Sequence, residues 1–246
     1  MRSRSPMTLI AAMLLLCSIL VYYAQIRIFR DADHTFFYFL QDLAFVPVQV
    51  LLVVLLIERV LENRERESIL HKLNMVIGAF FSEIGTRLLG DLTPAVEDME
   101  EVRQHLALTA AWKRREFTAA IAFARAFQYK IDPRRIDLIE LRDLLVAKRE
   151  FMVRLLENPN LLEHERFTDL LWAVFHLTEE LAARPTLPNL AERDMAHIAE
   201  DMRRAYSQLA AEWVAYAQHL QATYPFLFSL VVRTHPMQEY PRAEIA

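Results

Sequence analysis

The chain reads as an all-α protein: an N-terminal two-helix transmembrane hairpin followed by a cytoplasmic helical bundle. Three observations predict this class. Two apolar runs, Thr8–Ile26 and Phe36–Ile57, are about 19 and 22 residues long and stand close enough to form one hairpin. The rest of the 246 residues repeats apolar side chains at helical spacing, and no segment alternates convincingly with a period of two. Glycine is scarce, with 3 against 10 prolines, which argues against tight β-turns and phosphate-cradling loops.

A bilayer core about 30 Å thick takes roughly 20 helical residues to cross. Backbone exposed to lipid must satisfy its own hydrogen bonds, so each run is expected to be helical. Arg2 and Arg4 before the first run also fit a signal peptide. Val21, Tyr22 and Tyr23 stand where cleavage needs small residues, and Leu14, Leu15 and Leu16 before Cys17 disfavour a lipoprotein site. The first run is therefore expected to remain as an anchor. Tyr22 and Tyr23, then Phe36, Phe37 and Tyr38, suit an interfacial aromatic belt.

Arg2 and Arg4 precede the first span, and Arg59, Arg64, Arg66 and Lys72 follow the second. The turn between them carries Arg27 and Arg30, offset by Asp31 and Asp33. This asymmetry predicts a multi-pass protein with both termini in the cytoplasm. Asp42, Pro47 and Gln49 lie inside the second run. Asp42 is either solvated or paired near the outer end, with Arg30 or His34, or it is a functional intramembrane carboxylate. Pro47 is a kink position, and Gln49 is a donor for a neighbouring span.

Glu58–Glu67 is a charged collar, expected to be a solvated helix leaving the second span. The expected division is a hairpin over 1–57, a stalk and first bundle helix over 58–92, the bundle over 93–223, and an apolar segment and tail over 224–246. Within Ile69–Leu92 the residues Gly78, Ser82 and Gly85 fall on one small-residue stripe, a packing or interaction face. Glu83 beside it is a candidate buried carboxylate. Thr93-Pro94 and Asp132-Pro133 have the form of N-cap and first helical residue. The first opens a helix to about Leu108, with a break or continuation near Thr109–Trp112 into Phe117–Ile131. The second opens a helix that Asn158-Pro159 ends. Leu162–Arg184 and Asn189–Thr223 complete an antiparallel bundle. The apolar core of Tyr224–Val232 is too short to span a bilayer and is expected to cap the bundle or lie at the membrane interface.

The segments Gly78-Ala-Phe-Phe-Ser-Glu-Ile-Gly85, Tyr224-Pro-Phe-Leu-Phe-Ser229 and Arg233-Thr-His-Pro236 carry a resemblance. The chain is similar to a group of uncharacterised bacterial two-span inner-membrane proteins with a helical cytoplasmic domain. The resemblance implies a bacterial inner-membrane location and supplies no catalytic residues.

No GxGxxG or GxxxxGK[ST] pattern occurs. The single cysteine excludes an intramolecular disulfide and a cysteine-based zinc site. A formal net charge of −4 gives no general attraction to nucleic acid. Ser82 and Ser229 lack a nucleophile-elbow context. The expectation is a non-enzyme.

His176-x-x-Glu179 and His197-x-x-Glu200 each place an imidazole and a carboxylate on one helix face, with Asp194, Glu180 and Asp201 alongside. Facing helices with such side chains are how bundles hold iron or manganese. The usual order in di-iron bundles is Glu-x-x-His, and it is reversed here. Glu83, Glu101 and His105 are the other ligand candidates. His105, His176 and His219 are candidate haem ligands, without a CxxCH attachment motif. Lys113-Arg114-Arg115 and Arg134-Arg135 are basic clusters for anionic lipid, diluted by Glu116 and Asp137.

These features point first to a membrane-anchored interaction or scaffold module with no resident cofactor. Its expected partners are membrane lipid, a protein still to be identified, and a second copy of itself. The alternatives are a metal- or haem-binding bundle enzyme and an accessory subunit of a membrane transport or lipid-handling complex, the last drawing on Asp42 and Gln49.

Overall fold

The computed structural model describes residues 6–29, 32–159, 161, 164–238 and 241–244. Arg2, Arg4, Arg30, Asp31 and Leu162 lie outside them, as do the side chains of Asp33, His34 and Arg66. Among the described residues the protein is helical and has no strand beyond one isolated bridge, Val96 with Ile131. The chain divides into two compact units, Met1–Arg66 and Glu67–Ala246.

The first unit holds α1 (Pro6–Phe29) and the first part of α2 (Ala32–Phe80). Unbroken runs of Leu, Ile, Val and Phe leave the backbone no local polar competitor, so helix is the economical conformation. Pro47 lies inside α2. The two helices meet through Tyr22, whose hydroxyl donates to Asp42 Oδ2 at 3.3 Å and whose ring stands edge-on to Phe39. Of the two expected spans, one is long and apolar enough to cross a membrane among the described residues, Thr35–Glu62. Met13–Ile28 is a shorter apolar helical stretch among the described residues.

The second unit begins in α2, where Leu73, Ile77 and Phe80 are buried. A π-turn, Phe81–Gly85, then shifts the helical register. This breaks the expected stripe: Ser82 is exposed, while Gly85 is buried beneath the rings of its own helix. A Cβ on Gly85 would meet Phe80 Cε1 at 2.5 Å and Phe81 Cδ1 at 2.6 Å, whereas one on Gly78 would touch the Tyr216 ring at 3.5 Å. Glu83 is not buried: its side chain is 53 % exposed and pairs with Lys148 Nζ at 2.9 Å.

α3 (Thr86–Leu92) ends differently from the sequence expectation. Thr93 Oγ1 donates back to Leu89 O at 2.7 Å, so Thr93 closes α3 instead of capping the next helix. Residues Thr93–Ala95 form a 3-10 turn, and the next helix, α4 (Met99–Leu106), starts later. α5 (Arg114–Ala126) opens with Lys113 N donating to Glu116 Oε2 at 2.9 Å. Asp132 caps only the 3-10 turn Pro133–Arg135. The N-cap of α6 (Leu138–Leu156) is Asp137, which accepts from Ile139 N and Glu140 N at 2.8 and 3.1 Å. α7 (Glu165–Ala183) is capped by His164, whose Nδ1 accepts from Phe167 N at 3.1 Å.

α8 (Glu192–Thr223) packs against α3, α5, α7 and α9 (Pro225–Thr234). Its pairing with α7 is antiparallel: Arg184 meets Asp194, Glu180 meets His197, and His176 meets Asp201. Its pairing with α5 is antiparallel too, through Arg125–Glu212, Ser207 Oγ to Ala124 O, and Gln221 Nε2 to Trp112 O. Trp213, Tyr206, Phe80, Phe81, Phe117 and Phe167 are the largest fully buried side chains. Phe81 stacks on Tyr216, and Phe80 stands edge-on to Phe167. α9 lays Phe228 into the core and leaves Phe226, Leu227 and Leu230 exposed. Beyond it, His235 and Met237 are buried, with His235 against Trp213 and its Nδ1 accepting from Met237 N at 3.2 Å.

Two outcomes follow for folding. Gly85→Ala has no free space and must displace two buried rings, so it should cost about 1–3 kcal/mol. Gly78→Ala makes an ordinary contact and should be neutral or slightly stabilising; thermal melts of the two variants test the difference. Burial holds His235 well below the usual histidine value of 6.5, at about 4, against a smaller opposing effect of the Leu108 backbone. The unfolded chain then binds the proton first, so this stability is fully present above about pH 6.5 and is lost as pH falls toward 4. Replacing His235 by Asn should flatten the fall in melting temperature over that window.

Candidate functional site

The constellation best suited to chemistry lies between α7 and α8. Residues one full turn apart, His176 and Glu180 on α7 and His197 and Asp201 on α8, share the facing sides of the two helices. One ligand atom from each lies within 4.8 Å of all the others. His176 Nε2 is 3.4 Å from Asp201 Oδ1, and His197 Nε2 is 3.5 Å from both Asp201 Oδ2 and Glu180 Oε2.

Two arginines hold the carboxylates from outside. Arg184 Nη1 donates to Glu180 Oε2 at 2.7 Å and also to the Glu180 carbonyl. That bond, reinforced by the charges of Arg184, His197 and His176, keeps the Glu180 carboxyl below its ordinary range. Arg204 Nη1 donates to Asp201 Oδ1 at 3.2 Å. The Asp201 side chain is 1 % exposed, and its Oδ2 accepts no hydrogen bond. His197 is within ion-pair distance of Oδ2, but the contact lacks the alignment of a hydrogen bond.

Of the four metal candidates read from the sequence, the structure brings His176 and His197 together and leaves Glu179 and Glu200 apart. Glu179 turns toward Arg149, 3.6 Å away on α6, and Glu200 bonds Arg203 one turn on. The physical reason is the crossing of α7 and α8, which favours the i,i+4 carboxylate over the i,i+3 one on each helix. The histidine–carboxylate spacing was the available signal, and Glu180 and Asp201 were its other solution.

The remaining candidates occupy separate places. His105 stacks on Phe123 with ring centres 4.0 Å apart, and its Nδ1 lies 3.0 Å from Glu101 O. His219 stands on α8 beside Tyr224. Asp42 takes Tyr22 as a partner, whereas the sequence pointed to Arg30 or His34, and Gln49 is exposed on α2. Among the basic clusters, Arg134 pairs with Glu192 and Arg135 approaches Asp132 at 3.9 Å.

These features define a helical protein whose N-terminal and bundle parts match two separate family models. One, described as "MJ1433, N-terminal helical domain", matches residues 2–61. The other, described as "Uncharacterized protein MJ1433, C-terminal helical domain", matches residues 69–233. The chain belongs to this MJ1433 family. It is 42 % identical over 236 residues to "Uncharacterized protein MJ1433" of Methanocaldococcus jannaschii, covering 96 % of this chain and 95 % of that protein. This relative is archaeal, so the bacterial attribution drawn from the resemblance finds no support in it. No solved structure matches the chain.

The burial of Asp201 generates a stability prediction. A carboxylate removed from water and only partly hydrogen-bonded costs several kcal/mol, while its partially exposed partners return about 1 kcal/mol or less each. Asp201→Asn in metal-free protein should leave the melting temperature unchanged or raise it. A hub that exists to hold the helices together would instead lose stability on that substitution.

Proposed function

We propose that this chain is a membrane-anchored helical module, whose N-terminal hairpin of two spans tethers the bundle for interaction with a protein partner. The observation that carries this reading is Thr35–Glu62, with mean hydropathy 2.3 and none of its most apolar window buried within the protein. Burying one large aliphatic or aromatic side chain is worth about 1.5–3 kcal/mol. A helix that leaves Phe37, Leu40, Leu51, Leu52, Val53 and Leu56 exposed therefore demands an apolar surrounding. Lipid supplies it along the whole length, and Met13–Ile28, joined through Tyr22, is the second span of the hairpin.

Asp42 has a partner inside the hairpin, which favours a structural role over a proton relay. Gln49 is the polar group through which the hairpin would engage another span, including that of a second copy. On the bundle, Phe226, Leu227 and Leu230 of α9 and Trp172 of α7 are the exposed apolar side chains that support an interaction role.

The test uses Cys17, the one cysteine of the chain, which lies in the first apolar run. In sealed vesicles that resist carbonate extraction, Cys17 should be shielded from a charged maleimide and should react after SDS is added. Release of the protein by carbonate contradicts the anchor. Retention with ready labelling of Cys17 in intact vesicles contradicts the first span alone.

A further inference from the structure

We propose that His176, Glu180, His197 and Asp201 form a reversible binding site for a divalent transition metal of the zinc class, clasping α7 to α8. This goes beyond the membrane-anchor reading and does not depend on it.

The donor set is two imidazole nitrogens and two carboxylates. Such mixed nitrogen and oxygen donors suit zinc, iron(II) or manganese(II), whereas magnesium and calcium prefer oxygen alone. The separations fit a compact ion. In a tetrahedral site with bonds of about 2.1 Å, ligand atoms stand about 3.4 Å apart. His176 Nε2 lies 3.4 Å from Asp201 Oδ1, and His197 Nε2 lies 3.5 Å from Asp201 Oδ2 and from Glu180 Oε2. A set of one ligand atom from each residue lies within 4.8 Å, so modest side-chain rotation closes it around an ion. Each helix contributes one i,i+4 pair, so the four side chains converge without a loop or a backbone distortion.

An ion-pair network is the rival account of the same side chains. It leaves one observation unexplained. Asp201 is buried and its Oδ2 has no hydrogen-bond partner, although that atom lies 3.5 Å from His197 Nε2, one turn earlier on the same helix. A buried oxygen in this position costs free energy unless something binds it, and a cation among the four ligand atoms would. The histidines present Nε2 to the carboxylates, so the same nitrogen is placed to ligate once its proton is absent.

Arg184 and Arg204 bond the same two carboxylates from outside the cluster. They orient the ligands in the manner of outer-shell partners. Their charge also opposes a cation, which makes the site reversible and not a permanent structural lock.

The experiment is calorimetric titration of zinc chloride into the full chain in detergent, after chelator treatment and dialysis, with metal analysis of the loaded protein. The expected result is one saturable zinc per chain. His176→Ala and His197→Gln should each weaken binding by more than about 100-fold, beyond the usual effect of losing an outer-shell partner. Asp201→Asn should do the same while its helical signal and melting temperature are retained, which separates ligand loss from misfolding. Glu179→Ala and Glu200→Ala, one residue away on the same helices, should bind zinc as the parent does. The proposal is overturned by the absence of saturable binding to the parent chain. It is equally overturned if the Asp201→Asn variant binds zinc unchanged, or if the Glu179 and Glu200 variants lose binding to the same degree.

Discussion

The second unit depends on α8. A 32-residue helix is buried on more than one face here: beyond the stripe of Ile198, Met202, Tyr206 and Leu209, the consecutive residues Ala210, Ala211, Glu212, Trp213 and Val214 are all withdrawn from water. Alanines at 205, 210, 211 and 217 keep its surface narrow, so α3, α5, α7 and α9 can approach it closely. Its antiparallel registers against α5 and α7 are fixed by paired side chains at successive turns. Glu212, almost wholly buried, is matched by Arg125 at 2.9 Å, so the charge α8 brings into this interface has a partner.

Asp201 is the contrasting case on the same helix. Both acids are buried, yet Asp201 has a carboxylate oxygen without a hydrogen bond and faces two histidines. Burial with incomplete pairing is a stability cost that a fold tolerates where a ligand or a chemical task requires it. The long helix that organises the core thus also sets the geometry of the candidate site, because its register against α7 decides which carboxylate meets which imidazole.

Most helices were legible because apolar spacing alone identifies an amphipathic face, and α7 and α8 emerge within a few residues of their observed ends. Punctuation was less legible. Thr93-Pro94 and Asp132-Pro133 look like helix starts, but Thr93 bonds backward to Leu89 and Asp137 competes successfully for the start of α6. Such choices rest on local bonds that the order of residues does not settle. The π-turn at Phe81–Gly85 offsets Ser82 and Gly85 from Gly78, which precedes it, and spacing for a regular helix does not anticipate that. The site was half legible. His176 and His197 stand out by spacing, while Glu179 and Glu180 are both compatible with one face until the crossing with α8 is known.

The two units show opposite treatments of apolar surface. In the first, side chains such as Leu16, Phe37 and Leu52 remain exposed along helices that lack an amphipathic pattern; in the second, the equivalent residue types are enclosed around α8. The first unit thus keeps an exposed apolar surface and the second encloses its own, and the cluster between α7 and α8 belongs wholly to the bundle. The most direct measurement of the central claim is hydrogen exchange of the full chain in detergent, with and without zinc. With zinc, exchange should slow only in the turns of α7 around His176–Glu180 and of α8 around His197–Asp201. Unchanged exchange there, or protection located elsewhere in the chain, would contradict that claim.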